Sequence, residues 1–385
     1  MSLLIPIGPQ HPALPEPERF IFKVDGEVIV DVDVKIGFCH RGVEKLMTKK
    51  TYVQNIYLSE RICGICNVAH TTCYVQLVEK ALDLEVPERA QFIRVILNEL
   101  ARIHSHLLII GITGEEIGFE TIFMYMWRDR EIVMRMIEDI TGNRVISALN
   151  TIGGVRRDIS EEQKERIKKG ISILRERFKK YQEVFTEDST VRRRLCERGI
   201  ISKSDAISYG AVGPVIRGSG VKYDVRICYP YQAYDRIPFD MVIYEEGDSL
   251  ARVLVRIGEL FTSADIVEYA LDHLPKGDIR VPAPRKVPEN DVISLVEAPR
   301  GELFYHLISN GTDKPYRLKV KTPTFSNIYP IARAMIGETI PEIPAILVSM
   351  DPCFSCMDRL KFIDIRKGKV WIWSDRDIRR HYKRR

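Results

Sequence analysis

Residues 60–70 read Glu-Arg-Ile-Cys-Gly-Ile-Cys-Asn-Val-Ala-His and hold two thiols, Cys63 and Cys66, followed by His70. A second pair of thiols with the same spacing lies in residues 351–359, Asp-Pro-Cys-Phe-Ser-Cys-Met-Asp-Arg. Neither pair is informative alone, because Cys-x-x-Cys serves redox, zinc and cluster chemistry alike. Together the pairs offer four thiolates, which are the ligands that soft metals select. We therefore expect a fold that brings both ends of the chain to one metal site.

The spacing of the four cysteines leaves the identity of the metal open. Zinc in a tetrahedral four-cysteine site is the simplest alternative. Structural zinc usually joins ligand pairs that are close in sequence, whereas residues 67–352 separate these two pairs. An iron–sulfur cluster usually shows a more compact run of cysteines. A soft transition-metal centre is the third candidate.

The composition predicts an ordinary globular protein. A chain of 385 residues forms one large domain or two closely packed ones. Its 45% hydrophobic and 29% charged residues suffice for a buried core, and a net charge of +5 does not indicate nucleic-acid binding. Residues 1–6 lack the features of a signal peptide, and no uninterrupted apolar run approaches the ~20 residues of a membrane span. Without a secretory signal, the paired cysteines are expected to bind metal rather than to form disulfides.

The hydrophobic pattern predicts an α+β, mainly α fold. Residues 19–36 alternate apolar and polar side chains around an Asp-Gly turn, which indicates a β-hairpin. From about residue 40 most of the apolar positions recur at helical spacing. We expect one domain with a helical bundle core and a small β layer built from the N-terminal hairpin and C-terminal strands. Its expected parts are a β-hairpin and loop (1–36), a helical core (37–290), and a β/α region with the second cysteine pair and a hairpin tail (291–385).

The residues around the two cysteine pairs extend the pattern to Arg-x-Cys-Gly-x-Cys-x-x-x-His and Asp-Pro-Cys-x-x-Cys-x-x-Arg. This joint motif is highly specific and resembles the large subunit of nickel–iron hydrogenases. The resemblance continues along nearly the whole chain in further segments, and several of these also resemble the 49-kDa-type subunit of respiratory complex I, which lacks the metal cysteines. A chain with both sets is similar to the membrane-bound, energy-converting (group 4) hydrogenases. The further segments are Gly8–Pro12, His40–Gly42, Gly153–Asp158, Gly213–Pro214, Arg217–Gly220 and Glu297–Glu302.

The resemblance implies a nickel–iron centre. Cys63 and Cys353 would be terminal ligands of nickel, and Cys66 and Cys356 would bridge nickel to an iron that carries cyanide and carbon monoxide. A thiolate has more than one lone pair and is therefore able to bridge two metals. Beyond these four thiols the chain has no full set of ligands for an iron–sulfur cluster, so we expect electrons to leave through a partner subunit.

The resemblance also assigns roles around the centre. Arg300 would hold its guanidinium over the open metal position, and Asp351 would hold Arg300; the alternatives are a surface arginine and a turn cap. Glu16 matches the position of an acidic residue that relays protons, and its alternative is a solvated loop carboxylate. His70 would donate a hydrogen bond to a bridging sulfur, unless it is an ordinary core histidine. Glu44 is a weaker candidate, either as an acid that supports the metal ligands or as a magnesium-binding acid, and its favoured alternative is a carboxylate on a solvated helix face.

The function that the resemblance implies is reversible reduction of protons to molecular hydrogen. Electrons would come from ferredoxin through a small subunit that carries a 4Fe–4S cluster. Other iron–sulfur and membrane subunits of a complex I-like assembly would couple this reaction to ion translocation, on the cytoplasmic side of the cell membrane. The alternatives are a non-hydrogenase quinone-oxidoreductase subunit and a zinc-stapled scaffold without catalysis. Many hydrogenase large subunits are trimmed after the last motif, but the pattern of residues 360–385 predicts a folded tail that is retained; the alternative is an unprocessed precursor tail.

Overall fold

The protein is built around a bundle of long helices. A computed structural model describes most of the chain, namely residues 2–12, 14, 16–357, 359, 362–364 and 369–371. Helix α4 packs against α5 and α11, and α11 also packs against α6. The helices are α1 (Val43–Met47), α2 (Tyr52–Glu60), α3 (Asn67–Leu82), α4 (Glu88–Glu116), α5 (Glu120–Thr141), α6 (Glu161–Glu187), α7 (Ser189–Leu195), α8 (Lys203–Ser208), α9 (Pro214–Arg217), α10 (Val225–Cys228), α11 (Ser249–Asp272), α12 (Pro323–Ala334) and α13 (Ile343–Ser349).

The ends of several helices follow signals that are visible in the sequence. A capping box starts α6, where the side chains of Ser160 and Gln163 each accept a hydrogen bond from the other's backbone N–H. Thr51 and Gln54 form the same arrangement at the start of α2. Helix α5 ends at Gly142, whose φ of 81° suits a residue without Cβ. These signals are local, so the long helices could be placed from the sequence to within a few residues.

The strands form two three-stranded antiparallel sheets and two smaller pairs. The first sheet has the order β1-β2-β3 and contains the predicted N-terminal hairpin, and the second has the order β6-β7-β8. In the predicted hairpin tail, β9 and β10 pair antiparallel, and residues 365–368 and 372–385 lie outside the described residues. The strands are β1 (Ser2–Ile7), β2 (Arg19–Asp25), β3 (Val28–Lys35), β4 (Asn150–Thr151), β5 (Gly154–Val155), β6 (Asn290–Ala298), β7 (Gly301–Ser309), β8 (Arg317–Lys321), β9 (Phe362–Asp364) and β10 (Lys369–Trp371).

The mainly α, α+β class is therefore as predicted, but the β layer is divided. The N-terminal sheet packs through Phe20 and Phe22 on a small apolar cluster that includes Ile346 and Phe354. The second sheet packs on α3 and belongs to the large helical core. The rings of Phe20 and Phe354 lie 6.2 Å apart, which fixes the N-terminal sheet beside the second cysteine pair. Strand β1 was not predicted, because its Ser2–Ile7 segment shows no alternation of apolar and polar residues.

Among the described helices, α4 alone is long and apolar enough to cross a membrane by length and composition. Its most apolar window is 94% buried inside the protein. A buried core helix passes the same test, so this property is weak evidence for a membrane span.

Candidate metal centre

The two cysteine pairs lie together although 290 residues separate their corresponding members. The Sγ atoms of Cys63 and Cys353 are 3.3 Å apart, those of Cys66 and Cys356 are 3.7 Å apart, and those of Cys353 and Cys356 are 2.9 Å apart. All four are buried free thiols. Four sulfurs around one metal at ~2.3 Å would stand roughly 3.8 Å from one another, so small movements adapt this cluster to metal. The donor set and its spacing fit a thiolate-ligated centre.

Helix α3 positions the first pair. Cys66 is its N-terminal flanking residue, so the positive end of the helix dipole faces the thiols. The backbone N–H groups of Ile65 and Cys66 both donate to Cys63 Sγ at 3.3 Å. Hydrogen bonds from Cys353 and then Cys356 hold the pKa of Cys63 well below its usual range. The loop therefore favours a thiolate, which is the form that binds metal.

The second pair follows α13 through a sharp turn. Asp351 has a φ of 63°, which is uncommon for a residue with Cβ and turns the chain toward the thiols. The backbone N–H of Cys353 donates to Thr324 Oγ1 at 3.1 Å. A short 3-10 helix, Phe354–Cys356, then brings Cys356 back to the cluster. Asp358 of the motif lies outside the described residues.

Arg41 connects the two cysteine loops. Its guanidinium donates to the carbonyl oxygens of Arg61 (3.0 Å) and Ile62 (2.7 Å) beside the first pair. It also donates to the carbonyl oxygen of Ser355, 2.8 Å away, within the second pair. One side chain therefore holds both loops in register. The sequence motifs gave no indication of this role.

Arg300 lies at the turn between β6 and β7, buried beside the thiols. Its Nε donates to the carbonyl oxygen of Asp351 at 2.9 Å, and its Nη2 lies 2.7 Å from Asp351 Oδ1. Its Nη1 has no hydrogen-bond partner among the described residues. Burial alone would lower the pKa of Arg300, but Asp351 and the thiolates of Cys353 and Cys66 outweigh it and raise that pKa. The guanidinium is therefore charged, anchored on one edge and open on the other.

The turn that carries Arg300 rests on Gly213. A Cβ at Gly213 would lie 2.4 Å from the carbonyl oxygen of Arg300 and 2.4 Å from Gly301 Cα. Gly213 also has a φ of 65°. The side chain of Asn327 donates to the carbonyl oxygen of Val212 at 3.1 Å and accepts from its N–H at 2.9 Å, and so fixes this loop from below.

Glu16 lies against the second cysteine loop. Its carboxylate accepts from the N–H of Ser355 at 2.7 Å and from the hydroxyl of Ser355 at 2.5 Å. Its Oε1 lies 4.0 Å from Cys353 Sγ. Burial, and then the charge of Cys353, raises the pKa of Glu16 against the lowering effect of Ser355. This loop carboxylate is therefore half-buried at the centre rather than solvated.

His70 lies between Tyr305 and the thiols. Its Nδ1 and the hydroxyl of Tyr305 share a hydrogen bond of 2.8 Å, and its Nε2 lies 3.7 Å from Cys356 Sγ. Burial lowers the pKa of His70 to about 4, so the ring is neutral at pH 7. If the hydroxyl of Tyr305 donates to Nδ1, the ring proton is on Nε2 and donates to Cys356. Tyr305 was not recognised from the sequence.

The carboxylate of Glu44 is paired with two cationic side chains of the protein. It accepts from Lys319 Nζ at 2.8 Å and lies 2.9 Å from Arg359 Nη2. It also accepts from the backbone N–H of Val320 at 2.9 Å. These partners disfavour a magnesium site at Glu44, because a bound Mg²⁺ would have to displace them.

Comparisons with known proteins identify the relatives of the chain. Residues 116–287 and 281–359 match the sequence family of the 49-kDa subunit of respiratory-chain NADH dehydrogenase. Residues 41–110 match the sequence family of nickel-dependent hydrogenases. The alpha subunit of the membrane-bound hydrogenase of Pyrococcus furiosus is 43% identical, with 97% of this chain and 91% of the relative covered. One subunit of the F(420)H(2) dehydrogenase of Methanosarcina mazei is 40% identical, with 93% and 98% covered.

A solved structure shares the fold. It is a chain of the membrane-bound sulfane sulfur reductase, an archaeal respiratory membrane complex. The superposition has a TM-score of 0.89 at 34% identity and covers 93% of this chain and 98% of that chain. Relatives that carry out different reactions therefore share one scaffold, and the chemistry of the site has to be argued from its residues.

Proposed function

Because the chain belongs to the family that unites the 49-kDa subunit of respiratory-chain NADH dehydrogenase with nickel-dependent hydrogenases, we propose that it is the catalytic subunit of a membrane-bound nickel–iron hydrogenase. The proposed reaction is the reversible reduction of protons to molecular hydrogen. The observation that carries the proposal is the convergence of four buried free thiols beside a charged arginine. A subunit that only faced quinone would not need these thiols.

The four thiols would hold the metals in two roles. The first cysteines of the two pairs, Cys63 and Cys353, face each other at 3.3 Å, and the second ones, Cys66 and Cys356, face each other at 3.7 Å. By resemblance to the nickel–iron hydrogenases, Cys63 and Cys353 would hold nickel, and Cys66 and Cys356 would hold both nickel and an iron with cyanide and carbon monoxide ligands. A centre of this kind supplies the redox chemistry by which electrons are exchanged with hydrogen.

The side chains around the centre have separate tasks. Arg300 presents a fixed positive charge and a free N–H group beside the thiols, held by Asp351. A preorganised charge of this kind stabilises developing negative charge without reorganisation. With its proton on Nε2, His70 would donate to Cys356 and keep that sulfur oriented. Arg41 keeps the two loops at a fixed separation.

Glu16 is the proposed proton relay between the centre and solvent. It is half-buried and lies 4.0 Å from Cys353 Sγ, and burial raises its pKa, which favours a group that takes up and releases protons. Glu16→Gln keeps the shape and the acceptor oxygen for Ser355 but removes the proton. We expect hydrogen evolution to fall by about 10²-fold or more, with nickel content unchanged. Unchanged turnover would remove Glu16 from the route.

Metal content tests the proposal directly. We expect the purified complex to contain nickel and iron, and Cys356→Ala to lose nickel and hydrogen evolution together. Cys228→Ser, at an exposed thiol far from the motifs in sequence, is the matched control and should keep both. Zinc in place of nickel and iron, with no hydrogen evolution, would favour a zinc-stapled scaffold. A chain with neither metal, which still supports quinone reduction in its complex, would favour the complex I-like alternative.

The partners follow from the same proposal. The relatives are subunits of multi-subunit membrane complexes, so the chain is a subunit of a membrane-associated oxidoreductase. We propose that a small subunit with a 4Fe–4S cluster carries electrons from ferredoxin to the centre. Further iron–sulfur and membrane subunits would couple the reaction to ion translocation, with this chain on the cytoplasmic side.

A further inference from the structure

A network of buried charges lies between α4, α9, α10, α11 and β6, apart from the thiols. Each member exposes 2% or less of its surface. Four carboxylates are bonded by three guanidinium groups, so the four do not each have a guanidinium of their own; the buried Arg256 adds positive charge from outside the network on the side of Glu259. A buried unpaired charge is costly, and a carboxylate avoids that cost by holding a proton. The members are Glu99, Asp224, Glu259, Glu297, Arg102, Arg217 and Arg226.

Two of the carboxylates are well compensated by Arg226 and its neighbours. Glu99 accepts from Arg102 Nε at 3.1 Å, from Arg226 Nη1 at 3.1 Å and from the hydroxyl of Tyr234 at 2.5 Å. Asp224 accepts from Arg226 through Nε at 3.1 Å and Nη2 at 2.7 Å. Such contacts favour the ionised form, and they hold the pKa of both Glu99 and Asp224 low in spite of burial.

The other two carboxylates, Glu259 and Glu297, both accept hydrogen bonds from Arg217, and Glu259 accepts more of them. Glu259 accepts from its Nε at 3.0 Å and Nη2 at 2.7 Å, and its second oxygen lies 2.8 Å from His106 Nε2. Glu297 accepts one bond from Arg217 Nη1 at 2.8 Å and one from the backbone N–H of Val225 at 3.1 Å. Glu297 is therefore the least compensated carboxylate of the network, and the geometry places the proton there.

The charged groups around Glu297 also favour a proton on its carboxylate. Burial and then the charge of Asp224 raise the pKa of Glu297 to about 7, against Arg217, Arg102 and Arg226. Burial lowers the pKa of His106 to about 4, so the histidine is neutral and does not supply a further positive charge.

Glu297 also has a connection to the outside. Its register partner across the β6–β7 hairpin is Glu302, so both side chains lie on the same face of the sheet. Glu302 is half-buried and accepts a hydrogen bond from the hydroxyl of Tyr223. The carbonyl oxygen of Tyr223 in turn accepts from Arg217 Nη1 at 2.8 Å, beside Glu297. The turn of this hairpin carries Arg300.

We propose that Glu297 holds an exchangeable proton behind Arg300 and passes it between solvent and the metal centre through Glu302, as a second proton route beside Glu16. The inference rests on the proposed function, whose reaction consumes and releases protons. During proton uptake, a hydronium ion in solvent gives a proton to the Glu302 carboxylate and becomes water. The bond of that proton to Glu302 breaks as its bond to the Glu297 carboxylate forms, and Glu297 then gives it to a water molecule on the side of Arg300, which becomes hydronium. No electron moves in these steps, and hydrogen oxidation reverses them.

The first test detects the proton itself, in the whole purified complex. The infrared C=O absorption of a protonated carboxyl should titrate near pH 7 in the parent protein and be lost in Glu297→Gln. Glu289→Gln makes the same change at an exposed residue just before β6 and should keep the absorption. An absorption that persists in Glu297→Gln, or its absence from the parent, would overturn the proposal.

The second test is the pH dependence of hydrogen evolution. Proton donation needs the protonated form, so this route should weaken as the pH rises through about 7. In a Glu16→Gln background, where the second route has to carry the residual rate, Glu297→Gln should lower that rate at pH 6 by at least about tenfold and remove this titration, with nickel content unchanged. Glu297→Asp keeps a carboxyl group and should restore part of the rate.

Glu302→Gln tests the outer end of the route should Glu297→Gln fold poorly. This half-buried residue can be changed without leaving Arg217 unpaired, and the same titration should be lost. A parent complex without nickel or hydrogen evolution would defeat the proposed function, whereas the carboxyl absorption would still report the proton on Glu297. A nickel-loaded, active complex with an unchanged pH profile in both variants would defeat the second route alone.

Discussion

Arg217 and Arg300 are both buried arginines, and they differ in how fully their N–H groups are paired. In Arg217, Nε and Nη2 donate to Glu259 and Nη1 donates to Glu297. In Arg300, Nε and Nη2 engage Asp351, whereas Nη1 has no partner in the part of the chain that the structure describes. In Arg217, Nε, Nη1 and Nη2 all donate to protein groups, whereas in Arg300 the Nη1 group has no acceptor among the described residues.

This difference separates a structural role from a functional one. Native proteins pair nearly all buried polar groups, so an unpaired buried donor needs an explanation. Around Arg217 the explanation of each contact is complete, since its partners would otherwise be buried unpaired anions. Around Arg300 the remaining donor lies in the field of the Cys353 and Cys66 thiolates. The open edge of Arg300 is where we expect the reaction to take place.

The largest expected effect is a loss of folding stability when Arg217 is replaced. Arg217→Met leaves Glu259 and Glu297 buried without their cation, and breaking a buried pair in this way costs about 3–5 kcal/mol. The free energy of unfolding, measured by urea denaturation, should fall by that amount. Arg166→Met, at an exposed ion pair, is the control and should change it little. A stability loss no larger than in the control would mean that Arg217 does not hold the network together.

The second largest effect is expected on hydrogen evolution when Arg300 is replaced. Arg300→Lys keeps the positive charge but loses the planar fork that engages Asp351 and leaves Nη1 free. Hydrogen evolution should fall by about 10²-fold, equivalent to about 2.7 kcal/mol of transition-state stabilisation, with nickel retained. An active Arg300→Lys variant would show that a charge suffices and that the open N–H group has no role.

The smallest effect is expected at Glu44, which resembles Arg217 in being satisfied by protein partners. Glu44→Gln removes the charge that Lys319 and Arg359 share, and partly exposed pairs of this kind contribute under about 1 kcal/mol. Metal content and hydrogen evolution should be unchanged. Loss of bound magnesium together with activity would instead restore Glu44 as a metal ligand.

The local parts of this site could be predicted from the sequence. The cysteine pairs and Arg300 lie in short motifs, and the fold brings these residues together. Asp351 precedes its pair by two positions and lies 2.7 Å from Arg300. The resemblance located Glu16, but its contact with Ser355 depends on how the N-terminal sheet packs, which no periodicity encodes.

The remaining parts depend on contacts that leave no local signal. Arg41 binds backbone carbonyl oxygens, which every residue has, so its partners cannot be read from residue types. Tyr305 reaches His70 from a strand 235 positions away. The predicted single β layer is divided because the N-terminal sheet packs on the small cluster around Phe354 and the β6–β8 sheet packs on α3. Sequence patterns identify which faces are apolar but not which other face covers them.

The infrared spectrum of the purified complex tests the central claim most directly. A nickel–iron centre at the four cysteines predicts bound nickel, absorption bands of cyanide and carbon monoxide bound to iron, and the loss of both in Cys356→Ala. Bands of this kind arise neither from zinc nor from an iron–sulfur cluster. A complex that contains zinc alone at the four cysteines and shows no such bands would contradict the proposed centre.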